Sequence, residues 1–428
     1  MMKALFAAIS GLQNHITYMD VVGNNIANVN TQGFKASRVT FQDMLTQTIS
    51  GASAPTETRG GTNPQQVGLG VKIGGVDVLH TQGSLQATGR STDFAIQGSG
   101  FFIMKDANRT FYTRDGAFDL AVSGELVNPT NAYKVQGWRA DTNGVVDIDA
   151  PLTSIMIPMG QSIKAQESTQ VTLKGNLDSG ASSVAPADSF STTVDIYDSL
   201  GASHPVTIKY TKTANPREWS VSATSTDTMI NALTVDTDGA GSTLIEFDAQ
   251  GRRTVPAAGV KMEIDVDLMT ASGAGVTGTV DFTVEVDHDA ITQFAGPGNV
   301  VQNFNNGYSA GSLVSFSVGP LGDVTGTFSN GTSRPLGQIA MALFTNPAGL
   351  ARAGSNNFES TSNAGVPAIG RPSTGGRGSI GAGVLEGSNS DLAREFTNVV
   401  IAQRGFQASS RIISTADQML EGLVNLIR

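Results

Sequence analysis

Both ends of the chain carry a long apolar stripe at helical spacing, and such a stripe has to be buried against something. Met2, Leu5, Ile9, Leu12, Ile16, Met19 and Ile26 step by three and four, with Gly23 in the open seam position; this is a heptad pattern. The spacing predicts a helix over about residues 2–29, roughly 40 Å long at ~1.5 Å per residue. At the other end Leu392, Phe396, Val399, Phe406, Ile413, Leu420, Val424 and Ile427 share one seam, interrupted by Gln403, Ser410 and Asp417. Ser390 or Asp391 is placed to cap that helix, and Asp391 and Glu395 complement its positive end. Polar seam residues weaken a dry two-stranded coil and suit a helix with neighbours on several sides. Two readings follow: an intramolecular stalk, or seams buried against other copies of the chain. Ala4, Ala7, Ala8, Gly11, Gly23 and Ala27 permit close helix approach and favour the crowded, many-neighbour arrangement.

Between the ends the period changes to two. Val194/Ile196, Val206/Ile208/Tyr210, Phe282/Val284/Val286 and Val314/Phe316/Val318 alternate with polar residues, as half-buried strands do. Asp115-Gly116, Asn143-Gly144, Asp238-Gly239, Asn306-Gly307 and Asn330-Gly331 punctuate them as turns. The Gly-rich stretches Thr46 to Gly70 and Ser360 to Gly383 read as connectors. The expected fold is mixed and mainly β: N- and C-terminal helices forming a coiled-coil-like domain, plus two nested antiparallel β domains in a hairpin-like chain layout. Its expected parts are 1–30 with 388–428 (helical), 31–71 with 365–387 (linkers), 72–145 with 291–364 (inner β domain) and 146–290 (inserted outer β domain).

Composition narrows the functions open to such a fold. With 27 Lys+Arg against 37 Asp+Glu the net charge is −10, and the longest basic run is Arg252-Arg253, so no nucleic-acid partner is expected. No stretch reaches the ~18–20 apolar residues of a membrane span, and no membrane insertion is expected. The absence of Cys excludes disulfides, thiolate metal sites and a Cys nucleophile. Lys3 followed by Ala4 to Ile9 imitates a signal peptide, but Ser10 and Gly11 cut the apolar run short of the usual ~7–15 residues, so an uncleaved N-terminus is expected.

Motifs for chemistry are few. Gly307 to Gly311, GYSAG, matches the nucleophile-elbow spacing with Ser309 as nucleophile. An elbow needs a strand before it and a helix after it, whereas this one follows the polar loop NFNNG and precedes an alternating strand. The triad His of that fold also follows the Ser, yet His15, His80, His204 and His288 all precede it. A Gly-rich hairpin loop is the better reading. His288 between Asp287 and Asp289 imitates a metal cluster, but neighbours on a strand point to opposite faces, and a solvated strand end is expected. VGLGVKIGG, Val67 to Gly75, lies outside the dinucleotide fingerprint. No catalytic residue, cofactor or metal is expected, and the chain reads as a non-enzyme.

The segment NNIANVNTQGFK, Asn24 to Lys35, resembles the signature that follows the first helix of bacterial flagellar rod and hook proteins, with Asn25, Asn28, Asn30, Thr31, Gly33 and Phe34 at fixed spacing. GRSTDFAIQGSGFF (Gly89 to Phe102), LGQIAMALFTNPAGLA (Leu336 to Ala351) and VIAQRGFQASSRIISTADQMLEGLVNL (Val400 to Leu426) are similar to further segments of that family. The extra β domain favours a hook-type subunit over the alternative, a distal rod subunit of the basal body. The resemblance implies a structural polymer: a flexible tubular universal joint that passes torque from rod to filament and encloses the export channel. Many copies of the chain would pack in a helical tube, with Leu5, Ile9, Leu12, Ile16, Met19, Ile26, Phe396, Val399, Phe406, Ile413, Leu420, Val424 and Ile427 at subunit interfaces. It also implies export by the flagellar type III apparatus without a cleaved signal, an extracellular place in the flagellum, and contacts with a hook cap, the distal rod and hook–filament junction proteins. On this reading Ser309→Ala leaves assembly and swimming intact; a motility assay of the variant checks it, and loss of either would favour a hydrolase.

Overall fold

The computed structural model describes residues 2–426 except 56, 58, 108, 142–143, 185–186, 238–241, 256–260 and 270–278. The turn residues Asn143, Asp238 and Gly239 and the stripe residue Ile427 therefore lie outside the described residues, as does the side chain of Val424. The chain forms two compact units: Met1–Pro158 with Phe316–Gly326 and Arg334–Arg428, and Met159–Ser315 with Thr327–Ser333.

In the first unit, helix α1 (Met2–Ala27) packs along helix α2 (Leu392–Leu426). α1 ends where asparagines compete for its backbone: the Asn28 side chain donates to the Asn24 carbonyl at 2.9 Å, the local bonding that makes Asn a poor helix interior and a good terminus. α2 begins at a true cap, with Asp391 Oδ1 accepting from the backbone N–H groups of Ala393 at 3.0 Å and Arg394 at 3.3 Å. Behind α1 the strand Ser37–Asp43 pairs antiparallel with Val71–Val78, and Phe41 meets the Tyr18 ring edge-on at 5.7 Å. Thr46–Ser50 and Gln65–Gly68 form a fully exposed two-stranded ribbon. The residues read as linkers thus hold strands. Downstream, Ala368–Gly370, Ser379–Ala382 and Val384–Glu386 pair with Met341–Leu343, Phe94–Gln97 and Leu85–Ala87. Their glycines make turns between short strands that are tied into the β body.

The main sheet of this unit runs Ser333–Ile339, Lys134–Arg139, Phe101–Asp106, Arg109–Thr113, Asn357–Glu359 and Ala351–Gly354. Phe101 to Met104 are buried on both faces: Phe101 and Ile103 join Tyr112, Trp138, Phe344 and Phe358 in one core, while Phe102 packs edge-on to Phe118 at 5.3 Å. Each such side chain contributes about 1.5–3 kcal/mol by leaving water.

Among the described residues the second unit contains two five-stranded sheets. One is ordered Ile230–Asp236, Met262–Met269, Thr279–Phe294, Gln170–Asp178, Val301–Asn305; the other Ser189–Tyr197, Ser203–Lys212, Glu218–Ser225, Leu244–Phe247, Arg253–Val255. Val171, Leu173, Val206, Ile208, Trp219, Ile264 and Val284 share their common core. The unit starts and ends later than 146–290. Ile155 and Ile157 stay with the first unit, where Leu126 N donates to Ile155 O and Ile155 N to Val135 O, and Val301–Asn305 is an edge strand of the second. One pairing is parallel rather than antiparallel, Gln170–Asp178 with Thr279–Phe294; the long intervening chain supplies the crossover such a pair needs.

His288 is not a solvated strand end. It is 1% exposed, because the period of two that buries Val284 and Val286 continues through it on the sixteen-residue strand Thr279–Phe294. Its Nδ1 lies 3.0 Å from the Val286 carbonyl and its Nε2 3.0 Å from the Tyr210 hydroxyl, so a neutral ring donates to the carbonyl and accepts from the phenol. Burial pushes its pKa down to about 4 from 6.5, so the unfolded chain binds the proton first as pH falls. Stability is full above about 6.5 and is lost progressively towards 4, by about 3 kcal/mol for this group. His288→Gln is expected to flatten the fall in melting temperature between pH 7 and 4 relative to the unaltered chain, as read by circular dichroism.

Candidate assembly site

Small side chains let the two helices approach. Ala8, Gly11, Val22 and Asn25 are buried on α1, and Glu395, Ala402 and Ala416 on α2. A Cβ on Gly11 would stand 3.1 Å from Ser409 Oγ, and one on Gly405 2.4 Å from the His15 ring, so these glycines set the close approach of the two helix axes. This seam lies one residue away from the apolar stripes, which are left partly uncovered. On α1, Leu5, Leu12, Met19 and Ile26 are half-buried, while Ile9 (42%) and Ile16 (41%) are exposed. On α2, Val399, Phe406, Ile413 and Leu420 are half-buried and Phe396 is 54% exposed. The sequence reading missed Phe6, Val400, Ile401, Ile412 and Met419, all exposed; they stand off the single seam it followed, and a helix apolar on more than one face was the available signal. Phe6, Ile9, Met44 and Leu69 line a hollow of about 390 Å³ between α1 and the exposed ribbon.

The signature residues build the root of the helix pair. Asn25, buried, accepts from Ser37 N at 2.9 Å through Oδ1 and donates from Nδ2 to Ser37 O at 2.8 Å and Glu395 Oε1 at 3.3 Å. Thr31 Oγ1 donates to Asn28 Oδ1 at 3.1 Å. Gly33 has φ +66°, and a Cβ there would lie 2.6 Å from Asp115 N; its own N–H donates to Glu386 O at 2.8 Å. Phe34 is buried beneath the Arg352 guanidinium, 5.1 Å from its ring centre. Asn30 is exposed.

Beside them lies a fully buried charge cluster. Glu386 Oε1 accepts from Lys35 Nζ at 2.6 Å and Gly83 N at 2.8 Å, and Oε2 from Arg114 at 3.3 Å. Lys35 also donates to Thr81 O at 2.7 Å, and Arg114 to Gly98 O at 2.6 Å. Burial pushes both cations down in pKa, and the Glu386 carboxylate draws each back up. His80 stands between Phe101 and Phe358. Burial, and then Lys35, Arg114 and Arg352, push its pKa down to about 4, so it is neutral at pH 7. Breaking a buried pair by removing one partner costs about 3–5 kcal/mol. Glu386→Gln, which leaves two buried cations facing an amide, should therefore lower the melting temperature sharply and open the 30–36 segment to protease; an unchanged melt would show that the cluster is dispensable.

The catalytic suspects do not assemble. Ser309 lies in a loop whose carbonyl accepts from Asn330 Nδ2 at 2.7 Å, between the Gln166–Tyr308 bridge and the strand Gly311–Val318. His204 is held by Asp227 at 2.6 Å, and His288 by Tyr210. Among the described residues no group of His, Asp and Glu is placed to hold a metal ion, and no helix is long and apolar enough to cross a membrane.

Comparison with known proteins resolves what this architecture is for. Residues 5–35 match the family described as flagella basal body rod protein, 95–177 the flagellar hook protein FlgE/F/G D1 domain, 176–308 the flagellar basal body protein FlaE D2 domain, and 382–426 the flagellar basal body rod FlgEFG protein C-terminal region. These matches define a rod-and-hook class of flagellar axial proteins. Full-length relatives narrow it. The flagellar hook protein FlgE of Borreliella burgdorferi is 40% identical over 100% of both chains, and that of Salmonella typhimurium 34% over 98% of both, whereas the basal-body rod protein FlgG of Bacillus subtilis is 29% identical over 100% of both. A crystal structure of Helicobacter pylori flagellar hook protein FlgE2 aligns with TM-score 0.49 at 14% identity, over 69% of this chain and 98% of that one. The chain belongs to the flagellar hook protein family, as a structural subunit of the hook.

Proposed function

We propose that many copies of the chain polymerise into a tube in which the paired terminal helices form the inner wall around the export channel, with the β units outside them. The observation that carries this is the division between the two helical stripes. Ala8, Gly11, Gly405 and Ala416 satisfy the pairing within one chain, so the larger residues Leu5, Ile9, Leu12, Ile16, Met19, Ile26, Phe396, Val399, Phe406, Ile413 and Leu420 are left for neighbouring copies. Exposed Phe6, Val400, Ile401, Ile412 and Met419 widen that surface, and contiguous apolar surface of this kind marks an interaction site.

The tube serves as a flexible joint that transmits torque from rod to filament. Because Lys35, Glu386, Arg114 and Asn25 lock the root of the helices to the β body within each copy, bending is taken up between copies, across β surfaces low in charge whose wet contacts have many near-equal arrangements. Export through the flagellar type III apparatus, an extracellular site, and contacts with the cap, distal rod and hook–filament junction proteins belong to the same reading. The reading requires the first turns of α1 in the assembled subunit, since Ala8 and Gly11 are part of the seam. Ile16→Asp and Phe396→Asp, at exposed positions, should leave the helix content and melt of the monomer unchanged while abolishing tubes seen by electron microscopy and pelleting. Tubes of normal yield from both variants would refute the reading.

A further inference from the structure

Both ends of the chain are fastened to one short segment, residues 79–82. From the α1 side, Leu79 N donates to Ala36 O at 2.8 Å and Lys35 Nζ to Thr81 O at 2.7 Å. From the α2 side, Asn389 Nδ2 donates to Leu79 O at 2.7 Å and to Thr81 Oγ1 at 2.9 Å, while its Oδ1 accepts from Ala36 N at 2.7 Å. Between Leu79 and Thr81 stands His80, a side chain that neither the helix pairing nor the charge cluster uses. We propose that His80 is a proton-operated latch: the neutral ring seats this segment, and protonation unseats it and frees the roots of both terminal helices. The proposal goes beyond the polymer reading and is read in a single chain.

The seat of His80 suits only the neutral ring. The residue is half-buried, yet both ring nitrogens are shut off from solvent and lack a hydrogen-bond partner. Phe101 and Phe358 pack against it at 5.4 and 5.3 Å between ring centres, so an apolar ring of similar bulk would fill the slot without burying polar atoms unpaired. The charged groups that bear on His80 are Lys35, Arg114 and Arg352, all cations, and the Pro347 carbonyl alone favours a charged ring. The carboxylate of the cluster, Glu386, is already engaged by Lys35, Arg114 and the Gly83 N–H. An imidazolium needs acceptors for two N–H groups and would face like charges instead.

The position of His80 couples its ring to both helices. The carbonyls on either side of it, Leu79 O and Thr81 O, are the ones that Asn389 and Lys35 hold, so displacing His80 withdraws an anchor from each end of the chain at once. A residue that already reaches the surface in part needs only a local opening to meet water. The sign agrees with the seat: the pKa of His80 is pushed down from 6.5 to about 4, so the released ring takes up the proton first. The latch is fully held above about 6.5 and is lost progressively as pH falls towards 4.

The test is hydrogen exchange of the full chain, read by peptide mass at pH 7 and pH 5 and corrected for the intrinsic rate at each pH. In the unaltered chain, peptides covering 30–36 and 79–82 are expected to lose protection by about tenfold or more at pH 5, while those of the main sheet of the first unit keep theirs. His288 titrates in the second unit, so its effect falls on other peptides. His80→Phe, which keeps an aromatic ring in the slot and cannot take a proton, should hold the protection of both segments at its pH 7 level; His80→Gln decides the matter should the Phe variant fold poorly. Equal loss in the variants would assign the acid response to another group, such as Glu386 or His15, and overturn the proposal. Undiminished protection of the unaltered chain at pH 5 would overturn it as well. Neither result depends on tube formation, so the polymer reading stands or falls separately.

Discussion

Glu386 offers one buried carboxylate to donors from three distant parts of the chain: Lys35 just beyond α1, Arg114 in the β body and the backbone of Gly83. Two cations buried without it would each cost several kcal/mol, so the end of α1 is held in place only while the strand Val384–Glu386 is seated. Asn25 extends the same junction by clamping Ser37 and reaching Glu395 at the first turn of α2. The helices therefore leave the β body as a pair with a fixed root, and their outward faces are presented in a fixed direction. The proposed assembly depends on that.

Two side-chain sizes then divide the work of the helices. Residues without bulk let α1 and α2 touch inside one chain, where Gly11 faces Ser409 and Gly405 faces His15. Residues with bulk stand one position over and remain half-covered. Exposed apolar residues such as Ile9, Ile16 and Phe396 are what an interaction site leaves uncovered in a single copy, and in the proposed tube neighbouring copies cover them. Cations are sparse on these faces, with Arg394, Arg404 and Arg411 those on the first two-thirds of α2, so the proposed packing of copies would meet little repulsion.

Much of this was legible in the residues. The start of α2 followed from Asp391 and the extent of α1 from its apolar spacing, and the change from heptad to alternating pattern marked where β structure begins. Four features were not. The intrachain seam is made of Ala and Gly, which carry no apolar signal, so the eye follows the larger residues beside them. The Gly-rich stretches looked like linkers because composition does not reveal that Ser379–Ala382 and Val384–Glu386 find partners some 290 residues upstream in Phe94–Gln97 and Leu85–Ala87. His288 looked solvated because its Asp neighbours drew attention from the period of two that carries it inward. The charge cluster was invisible for the same reason as the strands: Lys35, Arg114 and Glu386 meet only in three dimensions.

The central claim is that the apolar stripes of the helix pair are covered by other copies of the chain. Electron cryomicroscopy of tubes assembled from the full-length protein tests it most directly. The account predicts an innermost layer of paired helices around an open channel, with Ile9, Ile16 and Phe396 in contact with neighbouring copies and Gly11 against Ser409 of the same chain. A reconstruction in which those three side chains face solvent, or in which β units alone form the contacts between copies, would contradict it.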